Sequence, residues 1–588
     1  MLGIDMQHQR THIMNKGIHK TMPSLQRHVV NGKTYWRIVE SKRVNGKPRP
    51  VPILYLGTVD QLLDKLLHAP GGNLRIESFQ HGDVAALTAI AQRLNIVGII
   101  DRHVSQQAHG APSVGLTLLL AALNRAVQPR SKRGWAAWAK GTSLSRLFPK
   151  LDPDALTSQY FWDQMNCVSP EALRAIERDL VQALIRELGI SLDLLFYDTT
   201  NFFTYIASDN PKPKLLQRGK NKQRRTDLRQ FGLALLVSRD GQIPLCSQVY
   251  DGRTIDCKLF PDAFSRIRER LAEITQDTTE ITVVYDKGNP TKAHQPEVDA
   301  APFGFVSSLV PSHHADLMAI PMADYQALPE NSPLEGLPVY RTTKVVWGQE
   351  RPVVLFRSEQ LREGQIRGLQ QHLDKRLREL EEWKEQLALP HSGPRDSEKK
   401  VEDLLKGQHI ADVLRIEYHP ERKGADRLNF HVDMEAMAHL HEEVFGKRIL
   451  VTSRSEWTTE EIILAYRGQN HVEATFRQCK DDEHLAVRPQ FHWTDQKIQV
   501  HAFICLLALM LARVVERQAR ALGYREGLSG LLDLLGSVRL AMVLSASGPQ
   551  GGRPRTTWQL EEMRPEARKL FEACVPPKAP FVYTAPTV

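Results

Sequence analysis

Near residue 190 the hydrophobic period of the chain changes, and that change constrains the fold more than any other feature. From Asp83 to Leu188 apolar residues recur at helical spacing, as in Val84, Leu87, Ile90, Ala91 and Leu94, and again in Leu173, Ile176, Leu180, Ala183 and Leu184. Beyond it, Leu192 to Tyr197 reads as a short buried strand, Phe231 to Ser238 as a second and Pro244 to Tyr250 as a third. The last two are joined by the turn Arg239-Asp240-Gly241-Gln242. A helix is expected at about Cys257 to Ile274, followed by strands at Ile281 to Tyr285 and Phe303 to Leu309. The order predicts an α/β fold, a mixed sheet with helices packed against it.

The flanks read differently. Residues 1–70 form a basic β unit, with Tyr35 to Glu40 and Val51 to Leu56 on either side of the turn-rich Asn45-Gly46-Lys47-Pro48. Residues 71–190 are the helical region and 191–319 the first part of the sheet. An inserted segment at 320–450 holds hairpin-like stretches (Lys344 to Trp347, Val353 to Phe356) and a charged helix from about Gln365 to Leu389. A helical block runs from Thr459 through Lys480 and resumes at Gln496 to Leu522, so 451–522 is expected to complete the core. Residues 523–588 are a C-terminal region whose Pro/Gly-rich tail after Ser547 is uninformative.

With 588 residues, 42% of them hydrophobic and 25% charged, the chain can bury a large core without disulfides or metal staples, which excludes wholesale disorder. Six scattered cysteines contain no C-x-x-C pair and fit a reducing cytoplasm. The most apolar stretch, Ala502 to Ala512, falls short of the ~20 residues that span a bilayer, so no membrane partner is expected. Positive charge is concentrated. Residues 1–60 hold ten Lys/Arg against three acidic residues, and 211–230 hold eight (among them Lys220, Lys222, Arg224, Arg225 and Arg229) against Asp227 alone. Such clusters fit a polyanion, because each neutralised phosphate releases condensed counterions.

Asp198 follows the first strand in Tyr197-Asp198-Thr199-Thr200-Asn201, and Asp286 follows the fourth in Tyr285-Asp286-Lys287-Gly288-Asn289. Carboxylates at that edge of an α/β sheet repel unless a cation sits between them, and oxygen ligands of this type select Mg²⁺ or Mn²⁺. In the helical block, Tyr466, Gln469, Glu473, Arg477 and Lys480 advance by three or four residues and would share one face. Three carboxylates from distant stretches are what two-metal phosphoryl transfer requires, one ion activating the attacking oxygen and the other stabilising the leaving one. Trp493 fits either stacking on an extruded base or anchoring a core. His492 and His501 suit packing or capping better than phosphate contact.

On these pieces, with Arg225-Thr226-Asp227-Leu228-Arg229-Gln230, Asp251-Gly252-Arg253-Thr254-Ile255-Asp256, Arg488-Pro489 and His492-Trp493, the chain resembles the DDE transposases of the IS4 superfamily, most closely the IS1634 family of bacterial insertion sequences. The resemblance implies a ribonuclease-H-like core with an insertion domain before the catalytic glutamate, and Asp198, Asp286 and Glu473 as a triad holding two Mg²⁺ (or Mn²⁺) ions. It implies metal-dependent cleavage of transposon ends and transfer of the 3′-hydroxyls to target DNA. Implied partners are double-stranded DNA, end and target alike, and a second copy in a synaptic homodimer, in the bacterial cytoplasm at the nucleoid. The helical region 71–190 would bind the ends. Tyr466, Glu473 and Lys480 match a Tyr-x₂-Arg-x₃-Glu-x₆-Lys signature whose cations contact end phosphates; the Arg position is Gln469, with Arg467 or Arg477 as substitutes. Two other readings are a DNA-binding descendant without the chemistry, and a structure-specific nuclease on the same core.

Overall fold

The computed structural model describes residues 24–44, 47–67, 75–105, 112–206, 210–221, 223, 225–286, 294–389, 397–481, 483–488, 490–545 and 555–575. They fall into two compact units, one drawn from Met1–Phe79 and Leu540–Glu561, the other from Gln80–Arg539 and Glu562–Val582.

The first unit carries an antiparallel sheet of β1 (Ser24–Val30), β2 (Lys33–Val44) and β3 (Lys47–Gly57), one strand more than the sequence pattern suggests. Asn31 and Gly32 both adopt positive φ between β1 and β2, the conformation that a tight two-residue hairpin needs. The expected turn at Asn45-Gly46 lies outside the described residues. A second sheet sets β4 (Arg75–Gln80) beside Arg539–Ser545, which pairs in turn with Arg555–Leu560. Phe79 and Trp558 meet there with ring centroids 5.7 Å apart.

The second unit opens with helices α1 (Gly82–Arg93), α2 (Ile96–His103), α3 (Val114–Val127), α4 (Ser158–Asn166) and α5 (Pro170–Leu188). Ser113, Thr157 and Ser169 cap α3, α4 and α5 by accepting a backbone N–H, and Gly189 ends α5 in the left-handed conformation. The chain then enters a nine-stranded sheet through β5 (Leu194–Phe203), β6 (Gln230–Ser238) and β7 (Pro244–Asp251). It continues through α6 (Asp256–Ile274), β8 (Thr282–Tyr285) and β9 (Gly304–Ser308). These five strands lie in the order β7-β6-β5-β8-β9, with β5 antiparallel to β6, parallel to β8, and β8 parallel to β9. That mixed α/β arrangement is compatible with a ribonuclease-H-like core.

The sheet does not stop at β9. The segment 320–450 divides in two, because β10 (Gln326–Ala327) and the hairpin of β11 (Pro338–Val346) and β12 (Gln349–Arg357) extend the same sheet. The rest is a small body built on α7 (Glu359–Ala388), whose Leu369, Leu373, Leu380 and Leu387 form a buried stripe, with Trp383 beside it. That stripe packs on Leu414 of β13 (Leu414–Tyr418), which pairs with β14 (Leu428–Val432). The chain rejoins the main sheet at β15 (Lys447–Thr452), between β12 and β9.

The expected helical block is two helices, α8 (Thr459–Arg467) and α9 (Asn470–Cys479), followed by α10 (Asp495–Ala521). By length and composition α10 is apolar enough to cross a membrane, contrary to the expectation from Ala502 to Ala512 alone, but 94% of its most apolar window is buried inside the protein. It is the core helix against which α3 packs.

Candidate active site

β5 separates two environments because its side chains alternate. Tyr197 meets Phe260 of α6 on one face, ring centroids 6.0 Å apart, while Phe196 meets His471 of α9 on the other at 5.1 Å. Asp198 shares the Phe196 face. Contrary to expectation it does not terminate the strand: β5 runs on to Phe203, because β6 supplies hydrogen-bonding partners that far. Its parallel neighbour β8 stops at Tyr285, so Asp286 is the first residue beyond that edge. The register pairs Phe196 with Val284 and Val284 with Val306. Carried on two residues, the same offset sets Asp198 level with Asp286, and Asp286 level with Ser308, on strands ~4.8 Å apart.

Asp286 is held by Tyr466, which the sequence singled out, and by Ser308, which it did not. Ser308 Oγ donates to Asp286 Oδ1 at 2.7 Å, and Tyr466 Oη donates to the same oxygen at 3.2 Å. Arg448 Nη1 donates to that tyrosine oxygen at 3.4 Å. Burial, then the Asp286 charge, pushes the Tyr466 hydroxyl above its ordinary range, so it stays a donor. On the opposite face of β5, Thr199 Oγ1 donates to Asp256 Oδ1 at 2.7 Å. The signal for Ser308 was its place at the end of β9; Arg448 and Asp256 carried none beyond their charge.

Glu473 is exposed, in the first turn of α9. It lines a cavity of about 870 Å³ together with Tyr466, Arg448, Arg357, Arg467 and Gln469. Asp286 is therefore joined to this cavity through Tyr466 and Arg448. Gln469 Nε2, at the start of α9, is buried with no hydrogen-bond partner among the described residues. The single stripe expected from Tyr466 to Lys480 is broken between Tyr466, in α8, and Gln469, the residue just before α9, while Glu473 and Arg477, one turn apart in α9, are both exposed. The break is at Gly468, where an added Cβ would lie 2.3 Å from Phe196 Cζ. Only a residue without a side chain lets the two helices come this close to β5. At the far end of α9, Lys480 Nζ donates to Thr200 Oγ1 at 2.7 Å and sits 5.6 Å from the Phe202 ring centroid.

Of the other sequence candidates, Lys222 and Arg224 lie outside the described residues, as do Lys287 to Asn289 and Pro489. Lys220 is exposed. Arg225 makes a two-pronged ion pair with Asp227 at 2.7 and 2.8 Å, holding that carboxyl down to about 2. Arg229 Nη1 donates to the Asn210 carbonyl at 2.7 Å, closing the basic loop on itself. Arg467 is exposed, its guanidinium 6.0 Å from the Phe356 ring centroid. Trp493 is neither a core anchor nor fully free: it is 36% exposed with Lys212 Nζ 4.3 Å from its ring centroid. His492 and His501 are packing residues, buried with ring centroids 4.9 Å apart.

Asp198 and Asp286 offer the hard oxygen donors that suit a divalent cation, but among the described residues no three of His, Cys, Asp and Glu gather into a group able to hold one. No family model and no curated protein matches the sequence. Among solved structures the chain is similar to a piggyBac transposase in a synaptic complex with hairpin DNA, at 8% identity over 77% of this chain and 79% of that one, with a TM-score of 0.36. A superposition this loose fixes no activity.

Proposed function

We propose that the protein is a DNA transposase of the DDE type, akin to the IS1634 family of the IS4 superfamily, that cuts the terminal inverted repeats of its element and joins the 3′-hydroxyls to target DNA. What supports this reading is the parallel register of β5 with β8, which continued two residues past Phe196 and Val284 brings Asp198 level with Asp286 just beyond the end of β8, together with Tyr466, which links Asp286 to the cavity that Glu473 lines. Asp198 and Asp286 would hold divalent metal, Mg²⁺ or Mn²⁺. Two bound ions would supply an activated attacking oxygen and charge stabilisation at the leaving oxygen. Bringing Glu473 to the pair requires movement of α9, which we assign to DNA binding.

The chain's own groups do the remaining work. Ser308 and Tyr466 fix the orientation of Asp286 through one of its carboxylate oxygens. Arg357, Arg448 and Arg467 give the Glu473 cavity a cationic wall suited to a phosphodiester, by charge rather than by base identity. Two ends cut in concert call for two copies of the chain.

Asp198→Asn, Asp286→Asn and Glu473→Gln test the reading on end-bearing duplex with Mg²⁺. Each is expected to abolish cleavage while retaining end binding in a mobility-shift assay. Cleavage like that of the unaltered protein removes that residue from the site. Wild-type protein that binds ends yet cuts in neither Mg²⁺ nor Mn²⁺ would replace this reading by that of a DNA-binding descendant, which the dispersed carboxylates favour. Equal cutting of DNA without ends, and no joined products, would indicate a nuclease.

A further inference from the structure

A second cavity, of about 810 Å³, lies between α3, α4 and the segment before α10. Four cations line it, Arg125, Arg130, Lys132 and Arg133, together with Trp162 and Phe491. Arg125 is buried in the last turn of α3, an otherwise apolar helix, and Lys132 is half-buried with Nζ 5.0 Å from the Phe161 ring centroid. Burying two like charges side by side is costly unless an anion joins them. Burial, then the Arg125 charge, lowers the Lys132 ammonium to about 7, and among the described residues none of the charges shifting it is a carboxylate. His492 and His501 feel the same surplus: burial first, then Lys132 and Arg125, lower both, with Lys497 adding to His492 and His492 adding to His501. Arg130 and Arg133 stand exposed at the rim.

The aromatic side of the cavity is as unusual. Phe491 is 60% exposed and neighbours the half-exposed Tyr205, with ring centroids 6.3 Å apart, two residues past the end of β5. Trp162 has Lys497 Nζ 5.3 Å from its ring centroid, and its indole Nε1–H is buried with no acceptor among the described residues. Exposed rings interleaved with cations form a platform for bases whose faces are free, whereas a duplex keeps those faces stacked. The volume suits a nucleotide or two rather than a double helix.

We infer that this cavity binds an unpaired stretch of DNA strand, a phosphate against Arg125 and Lys132 and a base against Phe491. The inference goes beyond the transposase reading and needs none of its chemistry. Binding is tested on the full chain in EDTA, by fluorescence anisotropy of labelled thymidylate octamer and of an equally long abasic strand. Stacking predicts that the octamer binds about tenfold tighter or more than the abasic strand. Phe491→Ala should reduce it to the abasic level and leave the abasic strand unchanged. The double variant Arg130→Glu with Arg133→Glu should weaken both at least tenfold; these three side chains are exposed, and an unchanged near-ultraviolet dichroism spectrum reports an intact fold. Equal binding of the two strands, or Phe491→Ala without effect on the octamer, overturns the inference. So does a photocrosslink from 5-iododeoxyuridine that maps away from Trp162 and Phe491. Because binding is read in EDTA, it does not depend on metal-dependent cleavage; strand binding by a protein that cuts ends in neither Mg²⁺ nor Mn²⁺ would sustain this site while removing the catalytic reading.

Discussion

Gly468→Ala probes the clamp between α9 and β5. Gly468 has φ −61°, which any residue adopts, so alanine carries no backbone penalty there and would even favour helix. The cost is steric. The new methyl would lie 2.3 and 2.5 Å from Cζ and Cε1 of Phe196 and 3.0 Å from the Ala465 carbonyl oxygen. Ordinary carbon contacts are ~3.5–4.0 Å, so helix and ring must separate by more than ~1 Å. Phe196 is fully buried and cannot swing aside. Overpacking of this kind costs about 1–3 kcal/mol, and a shift of ~1 Å in a catalytic constellation costs about 100-fold in rate. The expected outcome is a lower urea midpoint together with a roughly 100-fold slower single-turnover cleavage of end DNA. Phe196→Leu in the same chain withdraws the ring tip and should restore part of the rate. A Gly468→Ala protein as stable as the original refutes the close approach of α9 to β5. One that loses stability but cleaves at full rate refutes the placement of catalysis beneath α9.

Two further outcomes are expected. Tyr466→Phe removes the hydroxyl that donates to Asp286, a charge-assisted bond of about 1.5–3 kcal/mol, so single-turnover cleavage should fall at least tenfold; an unchanged rate would show that Asp286 does not need this support. In α1, burial raises the Asp83 carboxyl from 3.8 to about 6, while His81 just before it is lowered from 6.5 to about 4. Between pH 4 and 6 the folded state holds Asp83's proton and the unfolded state does not, so this group loses stability as pH rises. His81 is protonated only in the unfolded state over nearly the same window and gains stability as pH rises. The two slopes oppose each other. Asp83→Asn should therefore uncover a rise of about 3 kcal/mol between pH 4 and 6.5, read from urea midpoints, and a flat profile would contradict the burial of His81.

Much of the sheet was legible because its hairpins are local. The turn at Arg239 to Gln242 and the buried runs beside it announce β6 and β7, and the helix expected from Cys257 to Ile274 differs from α6 by one residue. Pairing across hundreds of residues leaves no such trace. β4 beside Arg539–Ser545, and β15 inserted between β12 and β9, obey the same alternation as any other strands and could not be matched in advance. The stripe from Tyr466 to Lys480 misled because helical spacing was carried through Gly468, where α8 has ended and the chain runs close against the Phe196 ring before α9 begins at Asn470. Arg125 was hidden for the opposite reason: one cation in the apolar run of α3 looks like a solvated edge until Lys132 is found beside it.

The body built on α7 leaves the sheet at Arg357 and returns at Lys447, and these two residues are directly paired; the next amide, Ser358 N–H, donates to the Gly446 carbonyl at 2.9 Å. Topologically the whole excursion is the loop of a β-hairpin. Chain closure grows only with the logarithm of loop length, so replacing a tight turn by such an excursion costs roughly 3 kcal/mol, which a body with its own buried stripe recoups. The junction is thus a docking port for cargo sequence: ancestors and descendants can acquire, trade or discard what is plugged in there without re-registering a single strand of the sheet.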